Sequence, residues 1–141
     1  MEVKIKRIDK TLTLPEHHTT GAVAFDFVAR EAVTVAPHSI GLVPGNVVIK
    51  VPPGYMLFIK ERSSTAPRKG IFCTAGIIDQ DYCGENDEIK IQVFNFKNEP
   101  TTIERAERIA QGIFVKIEKP VWTEVETMIE KNRGGFGSTG L

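Results

Sequence analysis

Hydrophobic and polar residues alternate along much of this chain with the two-residue period of β-strands. Val3 and Ile5 alternate with charged neighbours. Residues 47–51 (VVIKV) and 55–59 (YMLFI) are short runs rich in β-branched and aromatic side chains, bounded by Pro or Gly. From Glu88 to Phe96, Ile89, Ile91 and Val93 alternate with Lys90 and Gln92, and residues 108–117 (RIAQGIFVKI) add another apolar run. Turn signals fall at Pro44-Gly45, Pro52-Pro53-Gly54, Lys69-Gly70 and Asn98-Glu99-Pro100. Short strands spaced roughly 8–12 residues apart predict an all-β sandwich or barrel. Helix is expected only over residues 123–131, with a helical turn near residues 65–69.

Composition narrows the picture. With 141 residues, a single domain is expected. Hydrophobic residues make up 41%, enough for one core. The 12 Gly and 8 Pro, spread along the chain, suit many turns and few long helices. Lys plus Arg equals Asp plus Glu at 18 each, which argues against a general polyanion surface, so no nucleic-acid partner is expected. No apolar run approaches the roughly 20 residues of a membrane span, and the charged N-terminus is unlike a signal peptide. Cys73 and Cys83 lack a metal-like spacing, so the expectation is reduced thiols and a cytoplasmic location without membrane contact.

The neutral total hides local charge. Residues 60–70 carry Lys60, Arg62, Arg68 and Lys69 against Glu61, whereas residues 79–88 carry Asp79, Asp81, Glu85, Asp87 and Glu88. Arg62-Ser63-Ser64 follows a predicted strand and combines a guanidinium with hydroxyl donors, a set suited to phosphate oxygens or to a solvated turn. Gly76 to Gly84 (GIIDQDYCG) reads as a hairpin with a polar apex and a return strand. Asp79 follows two β-branched residues at a strand end, where a carboxylate can hold and deprotonate a water or simply cap a turn. Tyr82 offers a flat amphipathic ring nearby. Asp26, in AFDF, is placed by alternation on the solvent face of a strand. Gln111 faces either a ligand or water. His17, His18 and His38 are expected at the surface. The Gly-rich tail, residues 133–141, interleaves backbone amides with Ser138 and Thr139, a composition of frayed termini and of phosphate-cradling loops alike.

Taken in order, these segments resemble the homotrimeric dUTPase family (dUTP nucleotidohydrolases). AFDF (24–27), RSSTAPRKG (62–70), GIIDQDYCGE (76–85), RIAQ (108–111) and GGFGSTG (134–140) match its first to fifth motifs in order and at similar spacing. The resemblance implies a β jelly roll of the β-clip, barrel-like sandwich kind over residues 1–120. Residues 121–141 would form a flexible Gly-rich arm closing over a neighbouring subunit's site. It implies hydrolysis of dUTP to dUMP and pyrophosphate at sites shared in a homotrimer, limiting uracil incorporation into DNA and supplying dUMP for thymidylate synthesis. Asp79 would be the general base. Tyr82 would lie under the deoxyribose, and backbone at Gly76, Ile77 and Lys90 would read the uracil edge. Arg62, Ser63, Ser64 and Gln111 would serve the phosphates. Phe136 would stack on the base, with Gly137 and Ser138 at the terminal phosphates. Mg²⁺ would ride on the triphosphate, with Asp26 holding its waters.

Some positions depart from the family pattern. Ala24 stands where Gly is usual. The arm position usually held by Arg is Lys131, with Arg133 two residues on, so either would grip the γ-phosphate. Glu85-Asn86-Asp87 looks inserted before the return strand, and Cys73 stands where some relatives carry Asn. A dCTP deaminase-type or bifunctional member of the same fold would need Glu where Gln92 stands, before Asn95; Gln cannot cycle a proton. A non-catalytic signalling protein with the same fold would be expected to have lost some of Arg62, Ser63, Asp79, Tyr82, Gln111 and Phe136, and all six are present.

Overall fold

The computed structural model describes residues 1–135. The strands are β1 (Ile5–Arg7), β2 (Phe25–Phe27), β3 (Val33–Val35), β4 (Ile40–Pro44), β5 (Val47–Ile49) and β6 (Tyr55–Glu61). A five-residue helix, α1 (Thr65–Lys69), precedes β7 (Ile71–Cys73), β8 (Ile77–Ile78), β9 (Lys90–Asn95), β10 (Thr101–Ile103) and β11 (Ala110–Lys116). The largest sheet has the order β2-β11-β6-β8; a second is β4-β9-β7, and the pairs β1-β5 and β3-β10 complete the layers. All the named ladders are antiparallel.

Alternation explains the packing. Ile91, Val93 and Asn95 of β9 point inward while Lys90, Gln92 and Phe94 point out, and Leu57 and Ile59 of β6 enter the core. Phe27, Leu57, Ile71, Ile89, Ile91 and Val93 are among the fully buried side chains. The non-local pairing of β3 with β10 and of β4 with β9 closes the layers into a jelly roll. Asn95 is a buried polar knot: its amide donates to the carbonyls of Val35, Ala36 and Glu99, and its oxygen accepts from Lys97 N–H. Such satisfaction is what makes a core amide tolerable.

Residues 65–69 do form the expected helical turn. Gly70 closes it in the left-handed conformation, with φ of 69°. Residues 123–131 do not form a helix. Their apolar members Val125, Met128 and Ile129 are exposed, so no packed face rewards helix formation. The hairpin reading is also corrected. β8 is only two residues long and pairs with β6, whereas β9 pairs with β4 and β7 in the other sheet. Residues 79–89 are therefore a loop crossing between sheets. Among the described residues, no helix is long and apolar enough to cross a membrane.

Candidate active site

The crossing loop and β8 frame a cleft of about 240 Å³ lined by Ile77, Ile78, Asp79, Tyr82 and Lys90. Gly76 seats this wall. Its carbonyl accepts Ile59 N–H at 2.6 Å, and a Cβ there would lie 2.1 Å from the Ile59 oxygen, so only glycine lets β8 come this close to β6. With that carbonyl engaged, any reading of a base edge by Gly76 falls to its other backbone group. Asp79 emerges directly after β8 and is exposed. Among the described residues its carboxylate takes part in no hydrogen bond or ion pair, so it is not the turn cap that its position also allowed. A second cleft, of about 300 Å³, lies on its other side, between Tyr55, Met56, Gln80, Asp81, Ile117 and Lys119.

The other acids of this stretch are occupied. Glu85 pairs with Lys6. Asp87 accepts Gly84 N–H at 2.6 Å. Glu88, 9% exposed, takes both arms of the Arg30 guanidinium at 2.8 and 3.0 Å. That pairing pushes the Arg30 guanidinium further up in pKa, its hydrogen bond to Glu88 outweighing desolvation. The acidic run thus resolves into paired carboxylates plus Asp79 and Asp81.

A second polar set gathers where β2, β11 and the end of β6 run side by side. Gln111 lies beside Asp26 across β11 and β2, and beside Lys60 across β11 and β6. Asp26 is not on a solvent face. It is 7% exposed, because the segment carrying Glu16 and His18 covers it and Asp26 N–H donates to Glu16 at 3.1 Å. Its Oδ2 lies 3.1 Å from His18 Nε2, 3.1 Å from Arg62 Nε and 3.5 Å from Arg108 Nη1. None of these approaches is aligned as a hydrogen bond, so this oxygen is held by charge alone. A carboxylate ringed by two guanidiniums and an imidazole is already compensated. Asp26 therefore does not fit the metal-water role, and among the described residues no group of three or more His, Cys, Asp or Glu is placed to hold a metal ion. Asp26 instead steadies Arg62 and Arg108.

Ser63 and Ser64 follow Arg62 into α1. Ser64 occupies the helix N-cap, yet its side chain makes no capping bond. Thr65 donates its hydroxyl to Ile109 carbonyl at 2.7 Å, and Arg62 N–H donates to the same carbonyl at 3.1 Å, which fastens this turn to the start of β11. Gln111 donates to the Glu61 carbonyl at 3.3 Å. The Glu61 carboxylate is opposed by burial, but Cys73 N–H and Lys60 bind the ionised form and hold it below the ordinary value of 4.5. Lys69 is taken by Glu107 and the Thr102 carbonyl, both at 2.9 Å. Lys131 and Arg133 are exposed on a stretch without regular structure, and Phe136, Gly137 and Ser138 lie outside the described residues.

Two sets of predicted residues are thus assembled, Ile77, Asp79, Tyr82 and Lys90 in one, and Arg62, Ser63, Ser64 and Gln111 in the other. Arg30, Glu88 and His18 escaped sequence reading. Their only signal was charge, and what partners them is 58 residues away for Arg30 and Glu88.

Fold and site define a jelly-roll protein with an acid-bearing cleft and a separate guanidinium-rich turn. A family model for dUTPase matches residues 10–140, and the chain belongs to that family. It is 39% identical to the deoxyuridine 5'-triphosphate nucleotidohydrolase of Dictyoglomus turgidum, over 100% of this chain and 99% of that protein. It is also 39% identical to the enzyme of the same name from Rickettsia prowazekii, over 100% of this chain and 98% of that one. Among solved structures, a Staphylococcus bacteriophage 80alpha dUTPase with dUPNHPP shares the fold, with a TM-score of 0.87, 23% identity and 99% coverage of both chains.

Proposed function

We propose that this protein is a dUTP diphosphatase that hydrolyses dUTP to dUMP and pyrophosphate. Asp79 carries the reading: a carboxylate with no competing partner among the described residues, at a rigid strand end, beside a cleft whose other wall is Tyr82. It takes a proton from a water aligned on the α-phosphorus. The new P–O bond forms as the bond to pyrophosphate breaks. Tyr82 lies under the deoxyribose, where a 2′-hydroxyl has no room. Backbone at Ile77 and Lys90, with Gly76 in support, reads the uracil edge. A close pocket there rejects the 5-methyl of thymine, and exchanged donors and acceptors reject cytosine. Arg62, Ser63, Ser64 and Gln111 bind phosphate oxygens.

These two sets support a site shared between copies. β8 pairs with Leu57 and Phe58 of β6, whereas Arg62, Ser63 and Ser64 follow the far end of that same strand, about 17 Å along it from Leu57 at ordinary strand rise. An α-phosphate follows its sugar directly, so sets this far apart suit one nucleotide only when different chains supply them. Exposed Ile40, Leu42 and Phe72 on the outer face of the β4-β9-β7 sheet suit burial against further copies, consistent with a homotrimer. The segment from 121 onward, with Val121 and Trp122 exposed and Lys131 and Arg133 as cations, would be the arm that crosses to a neighbour and closes the site with Phe136, Gly137 and Ser138. Mg²⁺ bound by the triphosphate and water would screen phosphate charge, and we assign it no side-chain ligand. A cytoplasmic setting suits a nucleotide substrate and free thiols.

The deciding experiment measures pyrophosphate release from dUTP, dCTP, dTTP and UTP in parallel with Mg²⁺, with ammonia assayed for dCTP. Release from dUTP alone is expected. Ammonia from dCTP, or equal release from dTTP, would overturn the reading.

A further inference from the structure

Tyr82 is fastened to the fold through its far end. Its hydroxyl donates to the Glu88 carbonyl at 3.0 Å, which closes the loop between them, while the ring remains 38% exposed on the cleft. Glu88 is itself locked. Besides the two guanidinium bonds from Arg30, its Oε1 accepts Asn46 N–H at 3.0 Å. Asn46 is fully buried in the β4–β5 turn, in the left-handed conformation with φ of 68°. It is gripped by Asp9, whose N–H donates to Asn46 Oδ1 at 2.7 Å and whose carbonyl accepts Asn46 Nδ2 at 3.1 Å. The adjoining backbone is woven into the same turn: Gly45 N–H donates to Ile89, Ile89 N–H to Val47 and Arg30 N–H to Pro44, each at 2.8 Å. The peptide that carries the Tyr82 hydroxyl is therefore part of the rigid barrel. The residues between, including Glu85-Asn86-Asp87, are exposed or half-buried and held mainly by Lys6 and by the Asp87–Gly84 bond.

We propose that Arg30 and Glu88 are positioning residues for sugar selection. They fix the carbonyl that anchors Tyr82, and so fix how near its ring stands to the 2′-carbon of the bound nucleotide. The inference rests on the proposed dUTP hydrolysis. A 2′-hydroxyl adds only one oxygen, so a wall that yields by an ångström admits it, and selection against ribose requires that the wall not yield. A bidentate guanidinium–carboxylate fork holds direction as well as distance, which lysine cannot reproduce.

The test compares kcat/KM for dUTP and UTP in wild type, Arg30→Lys, Glu88→Gln and Tyr82→Phe. Arg30→Lys retains the charge and Glu88→Gln retains an acceptor, so neither strips the buried pair bare. Wild-type turnover of dUTP is measured first; its absence sinks the functional reading and is distinct from any change in sugar preference among the variants. In each variant the preference for dUTP over UTP should fall by about tenfold, the worth of one well-placed hydrogen bond, mainly through gain of UTP turnover. A purely structural pair would lower thermal stability and leave the preference unchanged, and that result would overturn the proposal. If the two pair variants do not fold, Tyr82→Phe decides it, since it leaves Arg30, Glu88 and Asn46 intact: an unchanged preference there refutes the anchor.

Discussion

Gly76→Ala is the sharpest test of how the cleft is built. The added Cβ would sit 2.1 Å from the Ile59 carbonyl oxygen, about 1 Å inside the 3.0 Å that real Cβ atoms respect, and 3.2 Å from the Ile59 carbonyl carbon. Both obstacles are backbone of the central strand β6, so neither can swing aside. β8 must retreat, and the 2.6 Å bond from Ile59 N–H to Gly76 is lost or stretched. Overpacking costs about 1–3 kcal/mol and a lost hydrogen bond about 1 kcal/mol, so a destabilisation of about 3 kcal/mol is expected. For a chain of this size that lowers the urea midpoint by roughly 1–1.5 M. Measurements belong at matched protein concentration, since subunit association stabilises by mass action. Gly21→Ala is the control: nothing lies within 4 Å of its added Cβ, so its midpoint should stay near that of wild type. Turnover of Gly76→Ala should fall by about 100-fold, because a 1 Å shift of β8 carries Asp79 with it. A midpoint equal to wild type, or an equal loss in Gly21→Ala, would refute the close-approach argument.

Asp79→Asn should lower kcat about 100- to 10,000-fold while nucleotide affinity by calorimetry is retained; near-full activity would remove Asp79 as the base. Glu61 is ionised more readily in the folded state than in the unfolded one, so its contribution is intact above pH 4.5 and drains as the pH falls through its lower folded value. Urea midpoints at pH 7 and pH 3.5 should therefore differ less in Glu61→Gln than in wild type, and an unchanged difference would count against the Cys73 and Lys60 contacts as the cause. Burial and the neighbouring Glu61 push the Cys73 thiol up to about 12, whereas Cys83 is only half-buried. Native protein at pH 8 should accordingly label with a thiol reagent at Cys83 alone, read by mass spectrometry, and fast modification of Cys73 would contradict the burial.

Strand positions were readable wherever one face meets the core, as in β6 and β9, because burial imposes a two-residue period on the side chains. Asp26 shows the limit of that logic. Alternation correctly put it opposite Phe25 and Phe27, but whether that side meets water depends on a segment ten residues earlier in the chain. The crossing loop shows another limit: Ile77-Ile78 and Lys90 onward look like two arms of one hairpin, yet β8 joins one sheet and β9 the other. Periodicity states which face a residue takes and is silent on which strand it pairs with.

By itself, then, the sequence determined the all-β class, the turns, the α1 helical turn and the motif residues proposed to carry the chemistry, since each depends on local side-chain pattern and residue type. Tertiary structure alone decided that Glu88 belongs to Arg30, that Lys69 belongs to Glu107, and that Asp79 is left without a partner among the described residues. It also decided that Asp79 and Arg62 lie toward opposite ends of the paired strands β8 and β6. The physical reason is that a charge declares its type in sequence, but its energy depends on what lies within a few ångströms, and those neighbours are chosen by strand pairing across tens of residues.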